Sequence, residues 1–487
     1  MNDALQQAFA PEAFRRQGYR MVDQLAEYLA RATGGQGMPV LPWGEADQLM
    51  AQWPDEFPEA PAADSARALE AMLAKTLAQS NHLHHPRYVG HQVSSPLPLA
   101  AVCEMASTLL NNGMAIYEMG PVATVMERSL VRWMGTQLGF DRSVCDGVFT
   151  SGGSAGNLTA LLAARQDRAG FDIWAQGSAG GPPLATLAGA STHYSVQRAV
   201  QIMGWGRDGV IPVAVDEQFK MRADDLEPAL ERARTLGRKV IAVSASACST
   251  ATGSFDPLEA IAEFCATHGL WLHVDGAHGA AASLSPRYRS LLAGIERADS
   301  VVWDAHKMLL MPALATAVVF RTGGPSYQTF AQHASYLFDG KKPEEEWYNV
   351  GRRTLECTKR MMSFQLYAAL RLYGTQFFAD YVTAAFDLGR RFGEMIQAEP
   401  DFELPVRPEC NIVCFRIRPR GMADDPTGLD ALQARTRQKV VADGSFYVVQ
   451  TQLPQGLFLR VTLMNPMTTE EDLSELLRAV RNAAGSN

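Results

Sequence analysis

The sequence lacks the features that direct a protein to a membrane, to secretion or to nucleic acid. Its 487 residues contain no run of 18 apolar residues, so we expect no membrane-spanning helix. The first residues, Met1-Asn-Asp-Ala-Leu-Gln-Gln, have no basic segment leading into an apolar core, so we expect no signal peptide. A formal net charge of −8 argues against a nucleic-acid-binding surface.

Cysteine is scarce and is not arranged as a disulfide framework or a metal site. The seven cysteines are scattered, and no second pair or histidine cluster accompanies Cys410 and Cys414 to complete a zinc site. We therefore expect no metal and a reducing, cytoplasmic setting. The remaining composition, 47% hydrophobic and 20% charged, is that of a soluble enzyme with a large core.

The N-terminal part of the chain is predicted to be helical. Apolar residues recur at three- and four-residue steps over residues 11–33, and a second helix is predicted at 65–80. The Gly- and Pro-rich residues 34–64 between them indicate a linker. The apolar strip of the first helix can pack either on its own domain or on a partner subunit. Further helices are expected at about 97–112 and 121–139.

From residue 146 onward, short apolar segments alternate with helical patterns. This alternation is typical of an α/β protein with a mostly parallel sheet and helices on both faces. Seven segments fit its strands: 146–150, 184–188, 210–215, 239–245, 269–275, 300–304 and 315–321. The last part of the chain predicts a smaller α+β domain, with helices at 360–374, 376–397 and 468–484 and short strands near 411–417, 445–449 and 457–463.

Two of these strands end in residues that one cofactor requires together. Asp275 ends one apolar strand and Lys307 closely follows another. Side chains at the carboxyl ends of parallel strands point into a crevice where ligands bind. Pyridoxal phosphate needs a lysine that forms a Schiff base and an acidic partner for its pyridinium nitrogen. Taken singly, the Asp fits a helix cap and the Lys fits a solvated surface. The interpretation of the pair as a cofactor site therefore depends on the other motifs of the chain.

Three other strand ends carry small or polar residues. Phe149-Thr-Ser-Gly-Gly-Ser-Ala-Gly-Asn157 opens a helix, and its small residues suit either a phosphate cradle or a tight strand–helix turn. His193 follows the next strand and can stack on a flat cofactor ring or cap the helix that it precedes. Thr250 lies in a Ser/Thr-rich segment that can contact a ring substituent or form an ordinary turn.

Taken together, these segments resemble the pyridoxal-phosphate group II amino-acid decarboxylases, which act on glutamate, cysteine sulfinate, diaminobutyrate or aromatic amino acids. The similarity rests on the order and spacing of Ser151-Gly-Gly-Ser-Ala-Gly-Asn-Leu158, Thr192-His193, His273-Val-Asp-Gly-Ala277 and Asp304-Ala-His-Lys307. It implies a fold-type I α/β architecture with a mostly parallel seven-stranded sheet in the large domain. It also implies a homodimer with active sites at the subunit interface. The domains expected on this basis are an N-terminal helical dimerisation segment at 1–95, a pyridoxal-phosphate domain at 96–359 and a small C-terminal domain at 360–487.

The resemblance implies a role for each matching residue. Lys307 resembles the Schiff-base lysine, Asp275 the partner of the pyridinium nitrogen, and His193 the histidine that stacks on the ring. Tyr336 resembles the loop tyrosine that protonates the substrate's α-carbon after decarboxylation, although without the family it reads as a core aromatic. The other cofactor contacts implied at the phosphate and around the ring are Gly153, Ser154, Thr250, Ala277 and His306.

The sequence says less about the substrate. Gln92 and Arg460 resemble pocket residues that bind an acidic substrate, while Arg460 also fits a structural ion pair. Gly113 and Ala115 replace larger residues, which predicts a roomier or reshaped pocket, and Asp304 replaces the family's usual Asn.

We therefore expect a pyridoxal-phosphate-dependent L-amino-acid decarboxylase, with a small acidic, diamino or aromatic substrate left open. The alternatives are an oxidative deaminase or aldehyde synthase of the same fold, against which Tyr336 argues, and a catalytically inactive scaffold dimer.

Overall fold

Helices and strands follow one another along almost the whole chain. The computed structural model describes residues 3–35, 37–330, 345–421 and 425–485. In chain order the α-helices are α1 Asp3–Ala8, α2 Pro11–Gly34, α3 Ala46–Met50, α4 Ser65–Gln79, α5 Pro98–Leu110, α6 Pro121–Gln137, α7 Gly153–Arg168, α8 Ile173–Gln176, α9 Tyr194–Ile202, α10 Leu226–Thr235, α11 Leu258–His268, α12 Phe364–Ala398, α13 Pro426–Ala442 and α14 Glu470–Gly485. The strands are β1 Asp146–Thr150, β2 Leu184–Gly189, β3 Val210–Val213, β4 Lys239–Ser246, β5 Trp271–Asp275, β6 Ser300–Asp304, β7 Thr316–Phe320, β8 Phe402–Glu403, β9 Ile412–Ile417, β10 Val449–Leu453 and β11 Gly456–Thr462. Of the helices described, none is long and apolar enough to cross a bilayer.

The chain groups into two compact units. The smaller unit consists of Met1–His91, Met395–Glu403 and Phe415–Asn487, and the larger unit consists of Gln92–Glu394 and Leu404–Cys414.

The larger unit is built on a seven-stranded sheet with the strand order β1-β7-β6-β5-β4-β2-β3. Strands β3, β2, β4, β5 and β6 are parallel to one another, whereas β7 runs antiparallel to both β6 and β1. The predicted mostly parallel seven-stranded sheet is therefore confirmed. Because β7 reverses direction between β6 and β1, the carboxyl end of β1 lies at the same edge as the carboxyl ends of the parallel strands.

The core of this unit lies between the sheet and α7. Val302, Val318 and Phe320 of the sheet pack in one cluster with Leu161 and Ala164 of the helix, and all five are fully buried. Burying each large apolar side chain contributes about 1.5–3 kcal/mol. This packing fixes the axis of α7, and with it the position of the helix N-terminus after β1.

A second, four-stranded sheet lies mainly in the smaller unit, with the order β10-β11-β9-β8. Strands β10 and β11 form an antiparallel hairpin in which Leu453 pairs with Gly456. The strand predicted at 445–449 was placed too early. The apolar run Phe446-Tyr-Val-Val449 suggested a strand, but regular pairing begins at Val449, and Tyr447 makes only an isolated bridge to Tyr88.

One helical prediction is confirmed, and one helix was missed. The two helices predicted at 360–374 and 376–397 make up α12, in which the non-helical backbone of Gly374 (φ +77°) separates them by a kink. Helix α13 was not predicted from the sequence. Its buried face includes the polar residues Gln433 and Thr436 among the leucines and valines, so the apolar periodicity is broken.

Candidate active site

Five loops meet at one edge of the larger sheet. They follow the carboxyl ends of β1, β2, β4, β5 and β6, and they carry the predicted residues Gly153, His193, Thr250, Asp275 and Lys307. In an open α/β sheet this edge is where ligands bind. The structure therefore brings these five predicted residues to a single face of one unit.

Lys307 lies against a second carboxylate that precedes it in the chain. Its Nζ is 3.1 Å from Oδ2 of Asp304, which is 2% exposed, and His306 Nε2 is 3.4 Å from the same oxygen. The Thr316 hydroxyl donates to Oδ1 of Asp304 at 2.5 Å. Burial by itself would lower the pKa of Lys307, but Asp304 and then Asp275 raise it above its ordinary value. The substitution of Asp for the family's Asn therefore stabilises the charged form of the lysine.

Asp275 ends β5 and is 9% exposed. Its Oδ2 accepts a hydrogen bond from Nδ2 of Asn157 at 2.8 Å, and its Oδ1 accepts one from the backbone N–H of Ala277 at 3.2 Å. The carboxylate is thus oriented from both sides by neutral donors. Ala277 also accepts the backbone N–H of Asp304, which ties the β5 and β6 ends together.

The N-terminus of α7 opens toward these strand ends. Its cap residue, Gly152, has φ +116° and provides no side-chain cap, so the first N–H groups of the helix have no partner from that position. A methyl group added at Gly153 would lie 3.4 Å from Asp304 Oδ2 and 3.8 Å from the Ala277 side chain. Ser154, in the first turn, is exposed. The glycines let the backbone at the start of the helix come close to the strand ends, an arrangement that can bind a phosphate at a helix N-terminus.

His193 caps α9 and is half-buried. Its Nδ1 lies 2.7 Å from the Ser195 hydroxyl and accepts the backbone N–H of Ser195 at 3.3 Å. Burial lowers the pKa of His193, an effect that Asp275 opposes and Lys307 adds to. The turn that contains Thr250 is anchored beside this histidine, because the Ser249 hydroxyl donates to the carbonyl of Ser191.

The predicted substrate residues Gln92 and Arg460 belong to different units. The loop with Gln92 lies beside the lysine segment, since the Ser94 hydroxyl donates to the carbonyl of His306 at 3.0 Å. The Nε2 atom of Gln92 is buried and has no hydrogen-bond partner within the described part of the chain. Arg460 belongs to β11, in the smaller unit, and is 7% exposed. Tyr336 lies outside the described residues.

Gly113 has little free space beside it. A methyl group at this position would lie 2.6 Å from Thr358 Oγ1 and 3.1 Å from Met119 Cε. Whether the substrate pocket is roomier or reshaped stays a prediction. Ala115 is buried, and its carbonyl accepts the N–H of Gly351.

Sequence reasoning missed three residues of this edge. Asn157 and His273 stand inside the motifs that carried the resemblance, and Ser195 follows His193 by two positions. Their type and place in the motifs were visible in the sequence. Only the folded chain brings the side chain of Asn157, from α7, between Ser195 of α9 and the β5 residues His273 and Asp275.

A sheet edge with a lysine, an oriented carboxylate and a helix N-terminus offers groups suited to the three parts of pyridoxal phosphate. The pyridoxal-dependent decarboxylase conserved domain matches residues 47–418 of the chain. The chain therefore belongs to the pyridoxal-dependent decarboxylase family and is a pyridoxal-phosphate-dependent amino-acid decarboxylase.

Two curated relatives extend this similarity over most of the chain. Human cysteine sulfinic acid decarboxylase is 34% identical over 401 residues, covering 81% of each chain. The mouse acidic amino acid decarboxylase GADL1 is 31% identical over 402 residues, covering 81% of this chain and 72% of its own.

Solved structures confirm the fold. The crystal structure of mouse CSAD in apo form has a TM-score of 0.91 at 28% identity, covering 98% of this chain and 100% of that one. The crystal structure of Oryza sativa TDC with PLP and tryptamine has a TM-score of 0.89 at 21% identity, covering 98% of both chains. At 21% identity, the similarity to the Oryza sativa structure shows the fold alone.

Proposed function

We propose that this decarboxylase acts on a short acidic L-amino acid and releases carbon dioxide and the corresponding amine. The observation that carries the proposal is the similarity, over 81% of the chain, to relatives named for cysteine sulfinic acid and for acidic amino acids. The buried amide of Gln92 supports it, because an N–H donor that has no partner among the described residues favours a substrate group that accepts hydrogen bonds. Arg460 supplies a guanidinium suited to bidentate carboxylate recognition.

We assign the cofactor contacts to the residues of the sheet edge. Lys307 would hold pyridoxal phosphate covalently, Asp275 would pair with its ring nitrogen, and the N-terminus of α7 with Gly153 and Ser154 would hold its phosphate. His193 and Ala277 would lie on the ring's two faces, and Thr250 and His306 would line the site. When bound, the cofactor supplies an electron-accepting ring for the electron pair released from the substrate's carboxyl bond.

The chain's own residues perform the remaining tasks. Asp275, oriented by Asn157 and Ala277, supplies the negative charge that keeps a ring nitrogen protonated. Asp304 keeps the Lys307 amine charged until that amine reacts. Tyr336 is assigned, by the resemblance alone, as the donor of the proton that the substrate's α-carbon receives.

A panel of L-amino acids scored for carbon dioxide release tests the substrate. We expect cysteine sulfinate, aspartate or glutamate to be the best substrate, and preferential release from 2,4-diaminobutyrate or tryptophan would contradict the proposal. Parallel assays for ammonia and peroxide separate decarboxylation from oxidative deamination.

We expect Gln92→Ala to raise KM for the acidic substrate about tenfold to hundredfold, since a hydrogen bond to a charged group is worth about 1.5–3 kcal/mol. The exposed residue Gln376 gives a matched control, and Gln376→Ala should leave KM unchanged.

The protein is further proposed to be a cytoplasmic homodimer. Helix α2 exposes Phe14, Tyr19 and Val22, an apolar face of the kind that protein interfaces cover. Helix α5 separately exposes Val102, Met105, Leu109 and Leu110. We expect the full chain to elute as a dimer and a chain lacking residues 1–64 to be monomeric or aggregated, as measured by light scattering. An active dimer formed by the shortened chain would contradict a role of α2 in assembly.

A further inference from the structure

A buried chain of hydrogen bonds runs behind the site and is centred on Asn157. This residue lies in the second turn of α7 and is 1% exposed. Its Nδ2 donates to Asp275 Oδ2 and to Ser195 Oγ, both at 2.8 Å, and its Oδ1 lies 2.9 Å from His273 Nε2. The carboxamide therefore uses both of its N–H groups and its oxygen.

The chemistry of the partners fixes the direction of each bond. A carboxylate only accepts hydrogen bonds, so the nitrogen of Asn157 must face Asp275 and its oxygen must face His273. His273 Nε2 must then carry a proton. Burial lowers the pKa of His273 to about 4, so the ring is neutral at neutral pH and its Nδ1 is an acceptor. The Ser300 hydroxyl, 3.0 Å away, supplies the donor for that nitrogen.

Beyond His273, the chain of hydrogen bonds ends at Ser300 and Trp271. Trp271 Nε1 donates to Ser300 Oγ at 2.9 Å, which leaves the serine's own proton for Nδ1 of His273. Indole N–H groups only donate, so this end of the chain also has a single direction.

The other branch reaches His193. Ser195 Oγ accepts from Asn157, so its single proton is available for Nδ1 of His193 at 2.7 Å. The backbone N–H of Ser195 points to the same nitrogen and can only donate. Nδ1 is therefore an acceptor, and a neutral His193 carries its proton on Nε2.

We propose that Asn157 is a positioning residue that orients the Asp275 carboxylate and directs the Ser195 hydroxyl to Nδ1 of His193, where it joins the backbone N–H of Ser195 in holding His193 as the tautomer protonated at Nε2. One side chain thus influences the orientation of both the Asp275 carboxylate and the His193 ring, which the proposed function places against the cofactor. The inference rests on that function for its catalytic meaning. The geometry itself, however, belongs to the protein alone and can be measured without the cofactor.

Nitrogen-15 NMR of histidine-labelled full-length protein tests the tautomers, first without the cofactor and then with pyridoxal phosphate bound. His193→Gln and His273→Gln variants assign the two rings. In the wild type we expect both rings to carry the proton on Nε2. In Asn157→Ala, His273 Nε2 loses its acceptor, so the His273 ring should show a mixture of tautomers. The Ser195 hydroxyl is no longer directed, but the backbone N–H of Ser195 still donates to Nδ1 of His193, so His193 should keep its proton on Nε2 and show a shifted Nδ1 signal.

Cofactor affinity provides a second measurement. We expect Asn157→Ala to weaken pyridoxal phosphate binding about twofold to tenfold, because the Asp275 carboxylate, no longer held by Asn157, must then be ordered when the ring nitrogen binds. Ser195→Ala removes only the branch to His193, so it should change the His193 signals and leave the His273 signals as in the wild type. Thr159 is a buried polar residue of the same helix whose hydroxyl donates to the carbonyl of Ala155, so Thr159→Ala is the matched control.

A wild-type His193 or His273 protonated at Nδ1 would overturn the proposal, whether or not the variants fold. Unchanged histidine signals and unchanged cofactor affinity in a folded Asn157→Ala variant would overturn it as well. Failure of the substrate panel leaves these measurements intact, so the positioning role and the proposed function are tested separately.

Discussion

Replacing Asp304 by Asn restores the residue type usual in the family and removes one charge beside the lysine. The two groups are 3.1 Å apart, and Coulomb's law with an effective dielectric constant of about 20 gives about 5 kcal/mol for such a pair. Desolvation of the two buried ions offsets part of this energy. Asn keeps the shape of the side chain and can still accept the Thr316 hydroxyl. We therefore expect a net effect of about 1.4–4 kcal/mol on the protonation of Lys307, at least about tenfold in the fraction of neutral amine.

The direction of the change in the Lys307 pKa follows from the negative charge of Asp304. Asp304 raises the pKa of Lys307, so Asp304→Asn should lower it, and more of the amine should be neutral at any pH below the ordinary lysine pKa of about 10.4. Trace acetylation of the cofactor-free protein at a series of pH values, with mass spectrometry of the Lys307 peptide, measures this fraction directly. Asp387→Asn, which removes a carboxylate paired with Arg287, is the matched control.

Stability gives an independent check on the same pair. A lysine whose folded pKa is raised stabilises the protein below its unfolded pKa of about 10.4, and this contribution is lost as the pH rises through the folded pKa. Asp304→Asn should therefore lower the melting temperature of the cofactor-free protein at neutral pH. An unchanged or higher pH midpoint for Lys307 acetylation in Asp304→Asn would refute the electrostatic reasoning.

Other residues of the site give further predictions. Lys307→Ala should abolish turnover, and borohydride reduction of the wild type should label Lys307; a label on another lysine would contradict its assignment. Asp275→Asn should slow turnover at least about a hundredfold, because a neutral partner no longer stabilises a protonated ring nitrogen; near-normal kcat would argue against this role. Tyr336→Phe should release carbon dioxide but yield more aldehyde, ammonia and peroxide, and wild-type amine formation would exclude it as the proton donor. Burial lowers the pKa of His273 from 6.5 to about 4, so stability should fall as pH drops through that window; melting curves of His273→Gln should show a weaker fall than those of a His268→Gln control.

The sequence was enough to predict the larger sheet and the residues at its edge. Strands such as 300–304 are short, apolar and buried on both faces, so their pattern is clear without tertiary information. Asp275 and Lys307 could be placed at one edge because the carboxyl ends of parallel strands meet there. These predictions needed only local pattern and the topology that follows from it.

Other features depended on contacts between distant residues. Helix α13 hides buried polar groups on its inner face, so its periodicity was not visible. Gly113 suggested free space beside the backbone, yet in the folded chain the side chain of Thr358, which is distant in the sequence, lies against this position. Asn157 looked like one small polar residue of a turn, because nothing in the sequence shows which side chains the second turn of α7 meets.

The two carboxylates of the site illustrate why contacts matter more than residue type. Asp275 and Asp304 both end buried strands, and the sequence offered no physical distinction between them apart from the family pattern. In the folded chain Asp304 lies against the Lys307 ammonium, whereas Asp275 is oriented by the neutral N–H groups of Asn157 and Ala277. Neutral donors fix a carboxylate without cancelling its charge, so Asp275 remains able to attract a further cation. The structure therefore separates a carboxylate that governs the lysine from one that suits a protonated ring nitrogen.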